Sequence, residues 1–474
     1  QRQMCIRDSP VTVRFIIIYI DDIRKKKGGF LMNNEAAYSR PVTLKSILRF
    51  AVPTIAMSVF MSFYTMVDGL FVSNLIGTNA LSSINLVYPI IALVTAISTM
   101  LATGGSAAIM KKMGEGKNDE AMQDFTFLII VNIFAGLVMC GIGYLFMGNF
   151  FSSMSLSAEV SDYCREYLSC YLLFTVPILL MNNFTLYMIA AGKATLSLLC
   201  SVAGGVANIM LDYLFIAVFH LGIGGAAVAT GLGYSITAVV GFFVFSKKNS
   251  LLHFVKPVCR FKVLGNVVTN GCSEMAAALV NGIITLMFNW AMLKYVGQNG
   301  VAAITIISYV LALAGSLYAG YTYGVAPMIS FYYGERNHGK LKRLIRTSLI
   351  IIGTIAVATV IVSLIVTEPL VSIFARPGSA VFDLAVQGNR ICSLALLFVG
   401  FNIFASGMFT ALSNGIISAV LAFSRTFVFT MIAMLILPAF FDVIGIWLAT
   451  PAAELMAVIL ACFMFFKYRK RYHY

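Results

Sequence analysis

The sequence predicts an all-α polytopic membrane protein in which twelve transmembrane helices form two six-helix lobes. Three observations predict this fold class: the composition, the number of long apolar runs and an internal repeat. Of the 474 residues, 60% are hydrophobic and 11% are charged, whereas about 25% of the residues of a soluble domain are charged. Because a helix of about 20 apolar residues crosses a bilayer, this chain is expected to cross it many times.

Twelve apolar runs have the length of a membrane-spanning helix, and Gly, Pro or charged residues separate them. They occupy approximately residues 46–75, 82–109, 122–147, 162–191, 194–218, 223–246, 264–296, 300–329, 346–366, 384–411, 415–438 and 444–466. Since the number of runs is even, both ends of the chain are expected on the same side of the membrane.

Basic residues are concentrated in alternate connections between these runs. The net charge is +14, and Lys and Arg cluster within residues 111–117, 247–262, 336–346 and 467–471. Cytoplasmic loops carry such an excess of Lys and Arg, beside an anionic leaflet. The pattern predicts a multi-pass protein of the bacterial inner (cytoplasmic) membrane with both termini in the cytoplasm, and it argues against a nucleic-acid partner.

The beginning of the chain differs from the rest. The stretch "QRQMCIRDSP" has no hydrophobic pattern, whereas Met32 opens a polar start that leads into a helix. Residues before Met32 are therefore interpreted as a non-native or untranslated leader and are left out of the fold prediction. The predicted organisation is a leader at 1–31, an N-terminal lobe at 32–246, a cytoplasmic linker at 247–263, a C-terminal lobe at 264–466 and a basic cytoplasmic tail at 467–474.

Three short segments recur at one offset of 220 residues, which chance rarely supplies. "GTNALSSI" at Gly77 returns as "GQNGVAAI" at Gly297, "GEGKND" at Gly114 returns as "GERNHG" at Gly334, and "GAAVAT" at Gly225 returns as "GIWLAT" at Gly445. With six helices in each, the two halves share one orientation, so the repeat predicts a pseudo-two-fold axis along the membrane normal.

The repeat does not extend to the intramembrane acids of the first half. At the same offset Asp68 is replaced by Phe288, and Asp212 is replaced by Ile432. A residue that only supports the fold should often recur in both halves. The restriction of these carboxylates to one half therefore favours a functional role.

Asp68 and Asp212 are the first candidates for a functional site, because ionised carboxylates at bilayer depth are costly and mark ion pathways. In "VANIMLDYLF", Asn208 and Asp212 lie four residues apart and so share one helical face, and Thr230 follows in the next span. Such oxygen ligands suit a small hard cation such as Na⁺, and close carboxylates also suit a proton. The alternative is that each Asp caps a backbone break or bonds across helices.

The sequence offers further candidates but no enzymatic motif. Pro53 removes a hydrogen bond within the first span and is a candidate hinge. Glu274 and Glu454 are candidates for substrate or proton handling, with Met61 and Tyr64 as further cavity candidates, and Arg425 could pair with a carboxylate. The chain has no "GxxxxGK[ST]" phosphate-binding loop and so no P-loop ATPase of its own, and the energy for any transport would have to come from an ion gradient. The sequence indicates no cofactor and no paired nucleophile and base.

The stretch from Val52 to Pro89, with "NIMLDYLF", "GAAVAT" and "GIWLATPAAE", resembles the multidrug and toxic compound extrusion (MATE) family. The resemblance runs from about residue 44 to the C-terminus. It implies two lobes around a cavity that opens alternately to each side, and efflux of cationic amphipathic drugs coupled to inward Na⁺ or H⁺. The partners would be those drugs and the lipid bilayer, and the protein would be a monomer.

The resemblance also implies roles for individual residues. The family's coupling-ion site falls on Asp68, Asn208, Asp212 and Thr230, and its bending proline falls on Pro53. A fourth-span Asn falls on Asn182 or Asn183. Another branch of the family uses carboxylates of spans seven and ten, but here Phe288 takes the place of an acid and Asp383 lies at the outer edge of its span. This departure puts a coupling site in the C-terminal lobe in doubt.

Three alternatives to a drug antiporter follow from the same sequence. One is a lipid-linked oligosaccharide flippase of the same superfamily, which would be expected to have a strongly cationic cavity. The spans of this chain contain few Lys or Arg and could not form such a cavity. A non-transporting membrane scaffold would not need carboxylates confined to one half of a repeat. An integral-membrane enzyme would need a paired nucleophile and base.

Overall fold

The structure, a computed structural model, describes residue 38 and residues 41–474 apart from 77, 153–157 and 249. The side chains of residues 66, 68–74, 78, 79, 81, 82, 149, 150, 152 and 158 are also outside the description. Pro41–Tyr474 forms one compact unit. The interpretation of residues 1–31 as a leader therefore lies outside the described residues.

Six spans make up the first half of the described chain. They are α1 Leu44–Leu75, α2 Thr78–Gly114, α3 Asn118–Ser152, α4 Ala158–Leu173 followed by Thr175–Ala190, α5 Ala194–Asp212 continued by a π-helical turn Tyr213–Val218, and α6 Gly222–Phe245. The fourth span bends by 54° at the break between its two segments. There the Thr175 hydroxyl donates to the carbonyls of Gly136 and Leu172, both at 2.9 Å, so the break is tied to the neighbouring α3.

The second half repeats this order. It contains α7 Phe261–Tyr295, α8 Gln298–Gly334, α9 His338–Ser372, and α10 Ala380–Cys392 joined by a 3₁₀ turn Ser393–Ala395 to Leu396–Ala411. Gly415–Phe423, a π-helical turn Ser424–Phe429 and Thr430–Tyr472 follow. The last segment is interrupted at Asp442, whose φ of 48° and ψ of −127° are not helical.

That interruption separates the last two spans. The stretch Gly415–Tyr472 has 58 residues, which at about 1.5 Å per residue far exceeds a hydrocarbon core of about 30 Å. We therefore place α11 before Asp442 and α12 after it. Ten helices of the described residues are long and apolar enough to span a membrane, and the bent α4 makes eleven. Division of the last of these helices at Asp442 gives twelve spans, as the sequence predicted, in an all-α fold.

The two halves meet through glycines at the end of the bundle where the basic connections lie, here called the basic end. A methyl group on Gly114 of α2 would lie 2.0 Å from the carbonyl oxygen of Phe331 in α8. Reciprocally, a methyl group on Gly334 would lie 2.1 Å from the carbonyl oxygen of Lys111. Glycine is needed here because the backbones touch. We call the glycine contacts between the halves the glycine seam.

The seam continues deeper into the bundle. On one side, methyl groups on Gly104 of α2 and Gly271 of α7 would lie 2.1 and 2.0 Å from carbonyl oxygens of the opposite helix. On the other side, methyl groups on Gly320 and Gly324 of α8 would lie 2.6 and 2.9 Å from Cα atoms of α1. Gly104 and Gly324 are separated by the repeat offset, as are Gly114 and Gly334. This symmetry is what the predicted pseudo-two-fold axis requires.

The connection between the halves is fastened to the first half. In residues 246–260, the Phe254 ring stacks on Phe125 of α3 with centroids 5.3 Å apart, and the Val255 amide donates to the Thr126 hydroxyl at 3.1 Å. At the end of the connection, Arg260 lies 3.5 Å from the buried Asp124 carboxylate. The start of α7 is therefore anchored to α3.

Candidate ion and substrate sites

The first candidate site lies near the end of α5. Asn208 is 1% exposed and Asp212 is fully buried, and they lie one helical turn apart on the same face. Directly after Asp212 the helix widens into the π-helical turn Tyr213–Val218. Such turns are rare in proteins, and those that occur are frequently found at functional sites. The sequence predicted the shared face of Asn208 and Asp212 but gave no signal for the π-helical turn.

Thr230 is brought to Asn208 by close packing of α5 against α6. A methyl group on Gly204 would lie 2.7 Å from the Gly233 carbonyl oxygen, and one on Gly233 would lie 2.8 Å from that of Gly204. This reciprocal contact lets the Asn208 amide donate to the Thr230 hydroxyl at 3.2 Å. The predicted association of these two side chains is therefore present.

The Asn208 side chain is only half satisfied. Its amide nitrogen is bound to Thr230, but its buried Oδ1 has no hydrogen-bond partner among the described residues. An unsatisfied buried acceptor costs about 1–3 kcal/mol, which a bound cation would offset. No cluster of three His, Cys, Asp or Glu residues that could hold a metal occurs in the described part of the chain, so a cation here would rely on amide and hydroxyl oxygens as well.

The position of Asp68 can be stated for its backbone alone, because its side chain lies outside the described residues. It belongs to α1, one turn beyond Tyr64, which is 5% exposed. A methyl group on Gly205 of α5 would lie 2.7 Å from the Phe60 ring and 3.5 Å from the Tyr64 ring. Since both helices run in the same direction, the backbone of Asp68 lies near the level of Asn208. Met61 is partly exposed on the same helix.

Pro53 lies far from this site. It is inside α1, which continues as one helix through it, next to Thr54, whose hydroxyl donates to the carbonyls of Phe50 and Ala51 at 3.1 and 2.9 Å. The Thr54 carbonyl oxygen would lie 2.7 Å from a methyl group on Gly320. The candidate hinge therefore lies at the glycine seam.

The two adjacent asparagines of α4 have different surroundings. Asn182 is partly exposed and donates to the Ser98 hydroxyl at 2.9 Å. Asn183 is fully buried and donates to Asn132 at 2.7 Å and to the Leu179 carbonyl at 2.9 Å. Asn183 thus joins α4 to α3 within the first half, and Asn182 has the more open position of the two.

A second polar cluster lies in the second half. The Arg425 Nε donates to both carboxylate oxygens of Glu454, at 2.8 and 3.0 Å. The Asn402 amide donates to Glu454 Oε2 at 2.6 Å and to its carbonyl at 2.9 Å. Asn402 was missed in the sequence, although it stands at the repeat offset from Asn182.

Glu274 and Arg425 line one cavity of about 190 Å³ between the halves. Its walls come from α2, α4, α7, α8, α10 and α11, and its remaining polar lining residues are Thr103, Ser106, Thr322, Tyr323, Ser330 and Thr410. The structure therefore brings Glu274, Arg425 and Glu454 together as one group, apart from the cluster of Asn208, Asp212 and Thr230.

Sequence comparisons place the chain among export proteins. The MatE family profile matches residues 53–214 and 275–460. The multidrug export protein MepA of Staphylococcus haemolyticus is 24% identical over 429 residues, which cover 90% of this chain and 94% of that protein. MepA of Staphylococcus aureus is 21% identical over 447 residues, which cover 93% and 98%.

Solved structures show the same fold. An outward-facing multidrug resistance MATE family transporter of the MOP superfamily aligns with a TM-score of 0.84 and 24% identity, over 90% of this chain and 95% of that one. A MATE structure in the bent conformation aligns with a TM-score of 0.81 and 21% identity, over 94% and 98%. The predicted fold class is confirmed, and the chain belongs to the MatE family, as a multi-pass membrane transporter and not an enzyme.

Proposed function

We propose that this protein is a secondary active multidrug efflux antiporter, which exports cationic amphipathic compounds in exchange for inward Na⁺ or H⁺. The observation that carries the proposal is the unsatisfied buried Oδ1 of Asn208, one turn from the buried Asp212 carboxylate. The MepA relatives, which are multidrug export proteins, support the drug substrates. No cofactor is required, because the ion gradient supplies the energy.

Asn208, Asp212, Thr230 and Asp68 would form the coupling-ion site. A carboxylate that is costly when ionised in a membrane becomes acceptable when a cation or proton neutralises it. If Asp68 and Asp212 are close, they resist joint ionisation, so their titration is coupled. Different ion affinities in two conformations would then drive the cycle, because a ligand shifts an equilibrium by its differential affinity.

Alternating access would occur by opening and closing the glycine seam. The close backbone contacts of the seam support a state that is sealed at the basic end, which would face the cytoplasm. Pro53 weakens α1 where it meets Gly320, so bending there would loosen the seam. Met61, Tyr64, Asn182, Glu274 and Glu454 are the proposed substrate-cavity residues.

The arrangement in the membrane is part of the proposal. The basic end would face the cytoplasm of a bacterial inner membrane, with both termini there and a monomer in the bilayer. Residues 32–246 and 264–466 would be the two lobes, with 247–263 as linker and 467–474 as tail. The flippase alternative is less well supported, because the intramembrane Arg425 is neutralised by Glu454.

The test is efflux at matched membrane expression by Asp68→Asn, Asp212→Asn and the double variant. Each single substitution should abolish ion-coupled efflux while the protein inserts and folds, and the double variant should be little worse, because residues that serve one step are not additive. Asp383→Asn, an acid near the tenth span, is the matched control and should pump normally. Efflux by Asp68→Asn and Asp212→Asn at the parent rate would exclude this coupling site.

The ion itself is identified in proteoliposomes by a sodium jump and a pH jump applied separately. Transport that continues with both gradients collapsed, but with ATP supplied, would contradict the antiport mechanism as a whole.

A further inference from the structure

The cavity between the halves contains charges of both signs, and these charges are unequally paired. Glu454 accepts two bonds from Arg425 Nε and one from the Asn402 side chain. Glu274 lines the same cavity as Arg425, yet within the described chain it has no hydrogen-bond or ion-pair partner. One carboxylate is therefore neutralised, and the other faces the cavity.

The number of charges predicts the charge of a ligand. Two carboxylates and one guanidinium leave one uncompensated negative charge. A ligand with one positive charge would neutralise the group, whereas a dication would leave an excess positive charge in a low-dielectric site, where such an excess is costly. The apolar part of the lining, formed by Ala107, Leu186, Ile403 and Gly407, suits a weakly hydrated organic cation.

We propose that Arg425, by neutralising Glu454, leaves Glu274 as the single counter-charge of this cavity and thereby makes the cavity accept monovalent organic cations in preference to divalent ones. The inference rests on the proposed export of cations and extends it to a specificity-determining residue. The volume of about 190 Å³ is below the range of about 300–1,000 Å³ typical of drug sites. The cavity therefore accommodates a small aromatic cation or the charged end of a larger amphipathic compound.

The test uses two probes of nearly the same shape that differ in charge. N-methyl-4-phenylpyridinium has one positive charge, and N,N′-dimethyl-4,4′-bipyridinium has two. Their dissociation constants are measured by equilibrium dialysis on the purified, detergent-solubilised full chain, without any ion gradient. The parent protein should bind the monocation more tightly. Glu274→Gln should weaken monocation binding at least tenfold.

Arg425 is tested by changing the cavity charge in both directions. Arg425→Gln leaves two unpaired carboxylates and should shift the ratio of the two dissociation constants at least tenfold in favour of the dication. The double variant Arg425→Gln with Glu454→Gln again has a single carboxylate and should regain the parent preference. The matched controls are Glu368→Gln and Arg390→Gln, which break an exposed ion pair of 2.7 Å and should leave both constants unchanged.

Several results would overturn the inference. They are an unchanged ratio in folded Arg425→Gln, a double variant that prefers the dication, and full monocation binding by Glu274→Gln. If Arg425→Gln alone does not fold, the double variant and Glu274→Gln decide the question, because neither leaves Glu454 unpaired. Since binding is measured without a gradient, a failure of the antiport mechanism would appear in the transport assays and leave this result unaffected.

Discussion

A single methyl group in the glycine seam should shift the protein toward a form in which the seam is open. In Gly271→Ala, the new Cβ would lie 2.0 Å from the Met100 carbonyl oxygen, whereas real Cβ contacts are almost never shorter than 3.0 Å. In Gly334→Ala, the corresponding distance to the Lys111 carbonyl oxygen is 2.1 Å. Because the obstacle is backbone on a packed helix, no side chain can move aside, and the two halves must separate by about 1 Å.

The size of the effect follows from the cost of overpacking, which is about 1–3 kcal/mol. That cost applies when the seam is closed and disappears when it opens, so each substitution should shift the equilibrium toward the open form by about 5- to 150-fold. In the double variant Gly114→Ala with Gly334→Ala, the free-energy shift toward the open form should be smaller than the sum of the shifts in the two single variants. One separation of the halves relieves both methyl groups.

The assay is a distance measurement by double electron–electron resonance between spin labels at Lys117 and Lys342, one in each half, in a cysteine-free background. Gly271→Ala and Gly334→Ala should add or enlarge a long-distance population. Gly265→Ala is the matched control, since it lies on α7 as Gly271 does but a methyl group there meets no atom within 4 Å. Distance distributions that are identical to the parent in both seam variants would refute the reasoning.

Three further predictions concern the polar groups of the basic end. Burial, and to a lesser extent Lys247, lowers the pKa of Lys193 from 10.5 to about 8. The folded protein thus disfavours the ammonium form, so Lys193→Met should raise the melting temperature at pH 7. This gain in melting temperature should fade as the pH rises from 8 to 10.5, and an equal gain at pH 7 and pH 10 would contradict the prediction. Asp124 is fully buried, and its carboxylate lies 2.5 Å from Lys112 and 3.5 Å from Arg260. The substitution Asp124→Asn should therefore lower the stability by about 3 kcal/mol, as measured by thermal unfolding. Glu120→Gln, with a carboxylate 44% exposed, should cost less than about 1 kcal/mol, and equal losses would disprove the difference. Single cysteines placed in the three basic connections, at Lys117, Lys256 and Lys340, should react with impermeant reagents only from the cytoplasmic side. External labelling of two of them in intact cells would overturn the topology.

The spans and the symmetry could be predicted because they depend on local patterns. Apolar length and basic connections identify a span without reference to its neighbours, and an offset that recurs three times identifies the repeat. The gap between the predicted spans 415–438 and 444–466 contains the break at Asp442, whereas the π-helical turn after Asp212 was not predicted. The glycines of the seam were visible in the sequence, but nothing local shows which backbone each one meets.

The candidate site was predicted to a similar extent. Asn208 and Asp212 share a face because four residues make about one helical turn, and that relation is readable in the sequence. Asn182 and Asn183 were equivalent candidates, but neighbouring residues point about 100° apart on a helix, and only the packing shows that Asn183 faces Asn132. The meeting of Glu274 with Arg425 joins residues from distant helices, so it needed the structure.

The anchored connection between the halves determines which part of the second half can move. Phe254, Val255 and Arg260 hold residues 246–260 to α3, so the beginning of α7 acts as a pivot that stays with the first half. In a rotation about a pivot, displacement grows with distance from it. The second half should therefore move least where α7 meets α2 and most along α8, so that an opening at the basic end would be wedge-shaped, widest beside α1.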